Sequence, residues 1–200
     1  MARRKDHTRE ELKEMSVISA RKIIAAQGLS NLNMRRIAGD IGYTVGTLYN
    51  VFEDMDDLMM HINAATLESL YEMLEKEVPQ NEKNATLALK EIATIYIRFA
   101  IEHFNLWNVL TNYEQMTEET RPDWYMEKTA RLFRMVETHL APVCKNAAET
   151  ERSAKILWAS VHGICVLGLN GRLDITGADP VQSLTDTLIE NYIRGLKEHV

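Results

Sequence analysis

The chain has 200 residues, of which 46% are hydrophobic and 26% charged, with a formal net charge of −6. With 9 glycines and 4 prolines, it is neither a low-complexity nor a fibrous chain. Cys144 and Cys165 are the two cysteines, too few for a disulfide scaffold or a four-thiolate metal site. No apolar run approaches the roughly 20 residues of a membrane span, and the start lacks the apolar stretch of a signal peptide. We therefore expect a cytoplasmic protein.

The charge is distributed unevenly along the chain. Residues 1–52 carry nine Lys and Arg against five acidic residues, a net +4, whereas residues 53–200 carry 14 against 24, a net −10. The basic residues 1–52 could approach a polyanion while the acidic residues 53–200 are repelled by it, which would allow one orientation only. Chance fluctuation over fifty residues explains the asymmetry equally well, so the charge alone decides nothing.

Helical periodicity dominates and predicts an all-α fold of about nine helices. The first is predicted over Thr8–Gln27, with acidic residues in its first turn. Asn33 is the predicted N-cap of a short helix over residues 34–41. After a tight glycine turn, Thr44 caps another short helix over residues 45–51.

The remaining helices are predicted over residues 54–78, 85–104, 105–113, 122–140, 156–169 and 179–198. The segment 156–169 is apolar nearly all round, and the last helix has a wide apolar stripe. A single chain of this length has too little surface left to cover both of them. We therefore expect a homodimer formed through helices near 152–170 and 179–198.

Two short helices joined by a tight turn are typical of a helix-turn-helix, whose second helix enters the major groove of DNA. Thr44 and Thr47 can hydrogen-bond to bases or phosphates. Val45 can contact a thymine methyl group, and Gly46 allows a close approach. Arg35 is long enough to reach a guanine edge. An ordinary helical hairpin with a glycine turn and a capping threonine would look the same, so spacing alone leaves both interpretations open.

The run from Asn33 to Phe52, NMRRIAGDIGYTVGTLYNVF, resembles the DNA-binding domain of the TetR family. It departs from the family pattern at Asn33, Tyr43 and Thr44, each with a residue that preserves capping or packing. The resemblance implies a helix-turn-helix domain over residues 1–53, which we call the head, and a helical ligand-binding and dimerisation domain over residues 54–200, the body. It implies base-facing or groove-facing positions at Arg35, Thr44, Val45, Gly46 and Thr47, and phosphate-facing positions at Asn33, Tyr49 and Val51.

The start of the predicted fourth helix departs from the family. A lysine is common there and neutralises a phosphate, but this chain has Met55 within an acidic cluster of Glu53, Asp54, Asp56 and Asp57. We expect DNA affinity to fall steeply with salt and to depend on other basic residues of the head. These are Arg3, Arg4, Lys5, Arg9 and Arg36.

The body resembles the Trp-His-Gly subset of TetR-like C-terminal domains, through Trp158–Gly163 and the later Gly171–Leu173. In this family the body holds the effector. The candidate ligand-binding residues are the aromatic and histidine side chains of the middle helices, because small-molecule sites combine apolar walls with a few polar groups. We predict Tyr96, Phe99, His103, Trp107, Tyr125, Trp158 and His162, with Phe104, Tyr113, Trp124 and Phe133 as further candidates. Aromatic residues at helical spacing fit a packed core equally well.

Other chemistry finds little support. His162 and Cys165 share a helix face, with His139 and Cys144 nearby in sequence, but two neighbouring ligands do not form a metal site. Phosphate-binding loops, nucleophile elbows and zinc-protease spacings are missing from the sequence. We therefore expect no enzyme activity, no metal and no cofactor, and an inert thiol at Cys165.

Two functional hypotheses remain. The first is a homodimeric transcriptional regulator, a repressor in most of the family, that binds a palindromic operator and is released by a small-molecule effector. Movement of the helix over residues 54–78 would then separate the two recognition helices. The alternative is a helical protein that binds a small molecule or a partner, with a degenerate head that does not bind DNA.

Overall fold

The computed structural model describes residues 7–79, 82–113, 122–173 and 181–198, and within these ranges it contains α-helices and short 3₁₀ turns but no strand. The helices are α1 (Arg9–Gln27), α2 (Met34–Ile41), α3 (Val45–Tyr49), α4 (Met55–Glu77), α5 (Ala85–Glu102), α6 (Phe104–Asn112), α7 (Asp123–Leu140), α8 (Ala147–Leu169) and α9 (Val181–Glu198). The predicted all-α fold is confirmed. In the described ranges, none of the helices is long and apolar enough to cross a membrane.

Local capping explains where the first three helices begin. The Thr8 hydroxyl accepts from the backbone N–H of Glu11 at 3.2 Å, and the Glu11 carboxylate accepts from the backbone N–H of Thr8 at 2.7 Å. These two hydrogen bonds form a capping box and lower the pKa of Glu11. Asn33 and Thr44 cap α2 and α3 with their side-chain oxygens, as predicted.

The chain divides into two compact units. Unit 1 comprises Met1–Glu68 and His103–Tyr125, and unit 2 comprises Ser69–Glu102 and Met126–Val200. Unit 1 thus extends beyond the predicted head, because it includes the beginning of α4 and all of α6. The units are defined by packing, and the assignment of functions to residues 1–53 and 54–200 stays a prediction.

Unit 1 has one apolar core, to which α6 belongs. Leu106 and Val109 of α6 are buried there with Ile23 and Ile24 of α1. The Asn105 side-chain amide also donates to the carbonyl of Ala25 at 2.9 Å, near the end of α1. Residues far from the head in sequence therefore complete its core.

Unit 2 packs α5 against α9 and α8. The Gln182 amide of α9 donates to the hydroxyl of Thr94 on α5 at 2.9 Å, and Lys90 of α5 forms an ion pair with Glu190 of α9. Ala154 and Cys165 of α8 are completely buried. Burial raises the pKa of the Cys165 thiol to about 12, so this thiol stays protonated at neutral pH.

One predicted helix limit was wrong, and two others, the ends of α3 and α5, lie two residues before the predicted ones. Helix α8 begins at Ala147 rather than near Ile156, because Asn146 caps it by accepting from the N–H of Glu149 at 3.0 Å. Polar residues in its first turns masked this beginning. Helix α5 ends at Glu102, before the predicted residue 104, because the backbone of His103 leaves the helical conformation (φ −117°, ψ 34°).

Gly168 allows α8 and α9 to approach closely. A Cβ atom at this position would lie 2.2 Å from Cγ2 of Val181, and this branched side chain cannot swing away as a long flexible one could. We predict that Gly168→Ala lowers the free energy of unfolding by about 1–3 kcal/mol, measured by urea denaturation. Gly163→Ala, in the same helix but with no heavy atom within 4 Å, is the control and should not destabilise the chain. Equal stability of the two variants would contradict this packing argument.

Candidate nucleic-acid interface

The turn between α2 and α3 is built on a left-handed glycine. Gly42 has φ 78° and ψ 26°, a conformation that strains any residue with a Cβ atom. The backbone N–H of Tyr43 donates to the carbonyl of Ala38 at 2.8 Å, which closes the end of α2. Thr44 then begins α3, so the two helices form the predicted helix-turn-helix.

Helix α3 has a buried side and an exposed side. Leu48 is completely buried in the core of unit 1, and Val51 and Phe52 follow it into the core. On the other side, Gly46 is exposed and Tyr49 retains 55% of its accessible surface, and the N-cap Thr44 at the start of the helix is exposed as well. Side chains capable of contacting a ligand are therefore presented to solvent from a helix that the core holds in place.

The predicted base-facing residues are accessible to different degrees. Arg35 and Thr44 are exposed, whereas Val45 and Thr47 are half-buried. The Thr44 hydroxyl accepts from the N–H of Thr47 at 3.2 Å, and the two hydroxyl oxygens lie 3.0 Å apart. The two threonines thus form one hydrogen-bonded pair, whose relative position is set by the cap of α3.

The predicted phosphate-facing residues differ from one another. Asn33 is exposed and Arg36 is half-buried, with a guanidinium nitrogen of Arg36 3.3 Å from the carbonyl of Asn31. Val51 is buried, so the expectation that its side chain meets a phosphate was wrong. Its carbonyl instead accepts from the guanidinium of Arg9 at 3.3 Å, which places an exposed cation beside the end of α3.

The beginning of the described chain contacts this region directly. His7 Nδ1 and the Tyr43 hydroxyl lie 2.6 Å apart and share a hydrogen bond, and the two rings meet edge to face. His7 therefore lies at the turn of the helix-turn-helix. The predicted phosphate-binding residues Arg3, Arg4 and Lys5 lie outside the described residues.

The acidic cluster Glu53, Asp54, Asp56 and Asp57 has a structural role at the start of α4. The Asp54 carboxylate accepts from the N–H of Asp57 at 2.8 Å, and the Asp57 carboxylate accepts from the N–H of Glu53 at 3.1 Å. These groups satisfy otherwise unpaired N–H donors and lie at the positive end of the helix dipole. Met55, in the place of the family's lysine, packs against the core.

The predicted ligand-binding residues fall in both units. In unit 1, Trp107 is buried, Tyr125 is half-buried and His103 is exposed. In unit 2, Phe99 is buried in the core of the unit. The burial of Trp107 and Phe99 agrees with the packed-core alternative for these two residues.

The other three predicted ligand-binding residues, all in unit 2, lie together. The Tyr96 hydroxyl and His162 Nδ1 lie 2.8 Å apart, and the Trp158 ring stacks on the His162 ring with centroids 5.3 Å apart. The Phe133 ring of α7 also lies beside the Trp158 ring, with centroids 5.9 Å apart. Burial lowers the pKa of His162, which favours the neutral imidazole at pH 7.

Unit 2 also contains an open cavity of about 540 Å³ that was not predicted. Its walls are one face of α4, including Tyr71 and Leu74, and one face of α7, including Arg131 and Met135. The Arg131 guanidinium lies 3.8 Å above the centre of the Tyr71 ring. The residues of the two walls are far apart in sequence, and many of them are polar or charged. Helical periodicity therefore did not indicate a cavity between them. Among the described residues, no group of three or more His, Cys, Asp or Glu side chains could hold a metal ion.

The acidic cluster permits a test that separates capping from charge. Asp54→Asn should keep the stability, because asparagine caps as well as aspartate, and should raise the affinity for duplex DNA by removing a repulsive charge. Asp54→Ala should lower the free energy of unfolding by about 0.5–2 kcal/mol through loss of the cap. Urea denaturation measures the free energy of unfolding, and fluorescence anisotropy measures the affinity for duplex DNA. Glu102→Gln, at an exposed acid of α5, is the charge control, and an equal gain in affinity there would contradict a local effect.

Comparisons with known proteins agree with this architecture. Residues 89–192, just over half of the chain, match the family described as "Tetracyclin repressor-like, C-terminal domain", and residues 19–62 match "Bacterial regulatory proteins, tetR family". No curated protein matches the chain in sequence.

Solved structures share the fold. A protein of unknown function from Rhodococcus sp. RHA1 is 21% identical with a TM-score of 0.75, covering 98% of this chain and 100% of that one. RolR in complex with resorcinol is 15% identical with a TM-score of 0.69 and coverages of 95% and 93%. A TetR transcriptional regulator from Rhodococcus sp. RHA1 is 14% identical with a TM-score of 0.63 and coverages of 94% and 97%. Together with the family match over more than half of its length, these findings show that the chain belongs to the TetR family of DNA-binding transcriptional regulators.

Proposed function

We propose that the protein is a homodimeric transcriptional repressor that binds a palindromic operator and is released by a small-molecule effector. The observation that carries this proposal is the outward presentation of α3, with Leu48 and Phe52 buried beneath it and Tyr49 exposed. In a helix-turn-helix, the second helix reads base edges in the major groove while neighbouring residues bind phosphates.

The proposed DNA contacts divide into two groups. Base-facing or groove-facing positions are Arg35, Thr44, Val45, Gly46 and Thr47. Phosphate-facing positions are Asn33, Arg36 and Tyr49, and Arg9 adds positive charge beside the end of α3. Met55 occupies the position where the family commonly has a lysine, so this position adds no positive charge. The other basic residues must therefore release the counterions of the DNA, which contributes to the affinity.

The exposed apolar surface of α8 supports the homodimer. Ile156 and Leu167, which share one face of α8, each retain 41% of their accessible surface, and Leu188 and Tyr192 of α9 are half-buried. Large apolar side chains concentrated on neighbouring helices are typical of an interface between subunits. A twofold dimer would present two recognition helices to the two halves of a palindrome.

We centre the proposed effector site on Tyr96, Trp158 and His162, the predicted ligand-binding residues that lie together. An aromatic ring beside a neutral imidazole and a phenol hydroxyl suits a small ring-containing molecule with a hydrogen-bonding group. RolR, which has the same fold, was solved with resorcinol bound. An effector that binds better to the conformation with low DNA affinity must weaken DNA binding, and DNA must weaken effector binding by the same factor.

The alternative, a binding protein with a degenerate head, rested on the acidic cluster. Asp54 and Asp57 are hydrogen-bonded as caps at the start of α4, so the cluster has a structural explanation. Its presence therefore gives the alternative little support.

DNA binding is tested by Thr47→Ala combined with Tyr49→Ala. We predict the loss of specific binding to duplexes that the wild-type protein selects from sheared genomic DNA, because the double variant removes groove and phosphate contacts. The control is Thr86→Ala combined with Leu87→Ala on α5, since Thr86 is half-buried and Leu87 is 54% exposed, similar to Tyr49. If the first double variant bound as tightly as the control, α3 would not be the DNA-reading helix.

Dimerisation is tested by Ile156→Glu, which places a charge on the exposed apolar surface of α8. We predict a shift from dimer to monomer in sedimentation, and DNA binding weakened by at least about tenfold because a monomer reads a single half-site. Leu87→Glu adds the same charge at a similarly exposed position of α5 and should leave the dimer intact. A wild-type monomer would refute the proposed assembly.

A further inference from the structure

Three aromatic side chains of unit 1 form a stack beside the junction between α3 and α4. The His61 ring lies parallel to the Trp124 ring, with centroids 4.8 Å apart and an interplanar angle of 10°. The His61 ring also contacts the Phe52 ring edge to face, with centroids 5.8 Å apart. Phe52 is buried and lies three residues after the end of α3, so the stack joins the first turn of α7 to the anchor of the recognition helix.

His61 also reaches the caps of this junction. Its Nε2 lies 3.5 Å from a carboxylate oxygen of Asp57, whose other oxygen accepts from the N–H of Glu53. Lys13 and Glu10 of α1 are the other charged groups that act on His61. Burial is the main reason that the pKa of His61 is lowered, so a neutral imidazole is favoured in the stack at pH 7.

A second contact reaches the first turn of α4. The Tyr113 hydroxyl, just after α6, donates to a carboxylate oxygen of Asp56 at 2.6 Å. Burial and the hydrogen bond to Asp56 both raise the pKa of Tyr113, which keeps the hydroxyl protonated as a donor. Tyr113 and Trp124 thus hold two successive turns of α4, through Asp56 and His61.

We propose that Trp124 and Tyr113 are positioning residues for DNA recognition, which fix the α3–α4 junction through the Trp124–His61–Phe52 stack and the Tyr113–Asp56 hydrogen bond. This inference rests on the proposed DNA-binding function and assigns part of its affinity to residues that do not touch DNA. A helix of five residues cannot hold its own orientation, so the junction at its end must be held by tertiary contacts. The first turn of α7 is therefore one of the elements of unit 1 that hold the α3–α4 junction.

The test uses the full chain and the duplex that the wild-type protein selects from a random-sequence library. Trp124→Ala, and Trp124→Leu to keep apolar bulk and folding, should weaken binding by about three- to tenfold, the range expected for loss of an aromatic pair. Tyr113→Phe should also weaken DNA binding, because phenylalanine cannot donate the hydrogen bond to Asp56. Met126→Ala is the control, since Met126 is a similarly exposed α7 residue outside the stack, and it should bind like the wild type.

The salt dependence distinguishes positioning from contact. A positioning residue leaves the slope of log K against log salt unchanged, whereas Arg36→Ala, which removes a phosphate contact, should reduce that slope by about one. Trp124→Leu should cost nothing further in a His61→Ala background, because the two residues act through one stack. Amide exchange at residues 45–52 should be faster in Trp124→Leu than in Met126→Ala.

Each outcome bears on the inference separately from the proposed function. If the wild-type protein selected no duplex, the DNA-binding proposal would fail, and unchanged amide exchange in Trp124→Leu would overturn the positioning role independently. Wild-type affinity of both Trp124 variants would also overturn it. A reduced salt slope in these variants would assign Trp124 to direct DNA contact and reject positioning.

Discussion

The burial of Leu48 and Phe52 in the core of unit 1 is the constraint on which the proposed DNA-reading surface depends. Helix α3 has only five residues, too few to be stable in isolation, so its orientation comes from the side chains that it buries. With Leu48 directed inward, the helical period turns the next residue, Tyr49, toward solvent, and Thr44 is exposed as the N-cap that precedes the helix. The same packing interaction that stabilises the helix therefore creates the exposed surface.

On the proposed function, helix stability and DNA affinity oppose each other at the start of α4. Asp54 and Asp57 cap the junction after α3, and their negative charge lies close to the surface that would meet phosphates. A lysine in place of Met55 would offset that repulsion, but Met55 packs on the core instead. We therefore propose that the positive charge for DNA binding comes from α1 and α2, where Arg9 and Arg36 are located, and from the basic residues that precede His7.

Local signals predicted the structure well, and contacts between distant residues could not be predicted from the sequence. Asn33 and Thr44 begin α2 and α3 as expected, because an N-cap acts on donors two or three residues away. The role of α6 was not predicted, since Leu106 and Val109 show helical periodicity without indicating that they pack on α1. The stack of Trp124 on His61 and the cavity beside Tyr71 and Arg131 likewise depend on helices brought together by folding. Val51 was assigned to a phosphate by resemblance alone, and the core burial of this apolar residue overrides that assignment.

The central claim is that α3 is presented outward and is covered when DNA binds. Hydroxyl-radical footprinting of the 200-residue chain, with and without a selected duplex, tests this claim directly by measuring the oxidation of Tyr49. The account predicts that Tyr49 is oxidised in the free protein and protected by the duplex, while Leu87 on α5 is oxidised equally in both states. A Tyr49 side chain that is unreactive in the free protein, or equally reactive in both states, would contradict it.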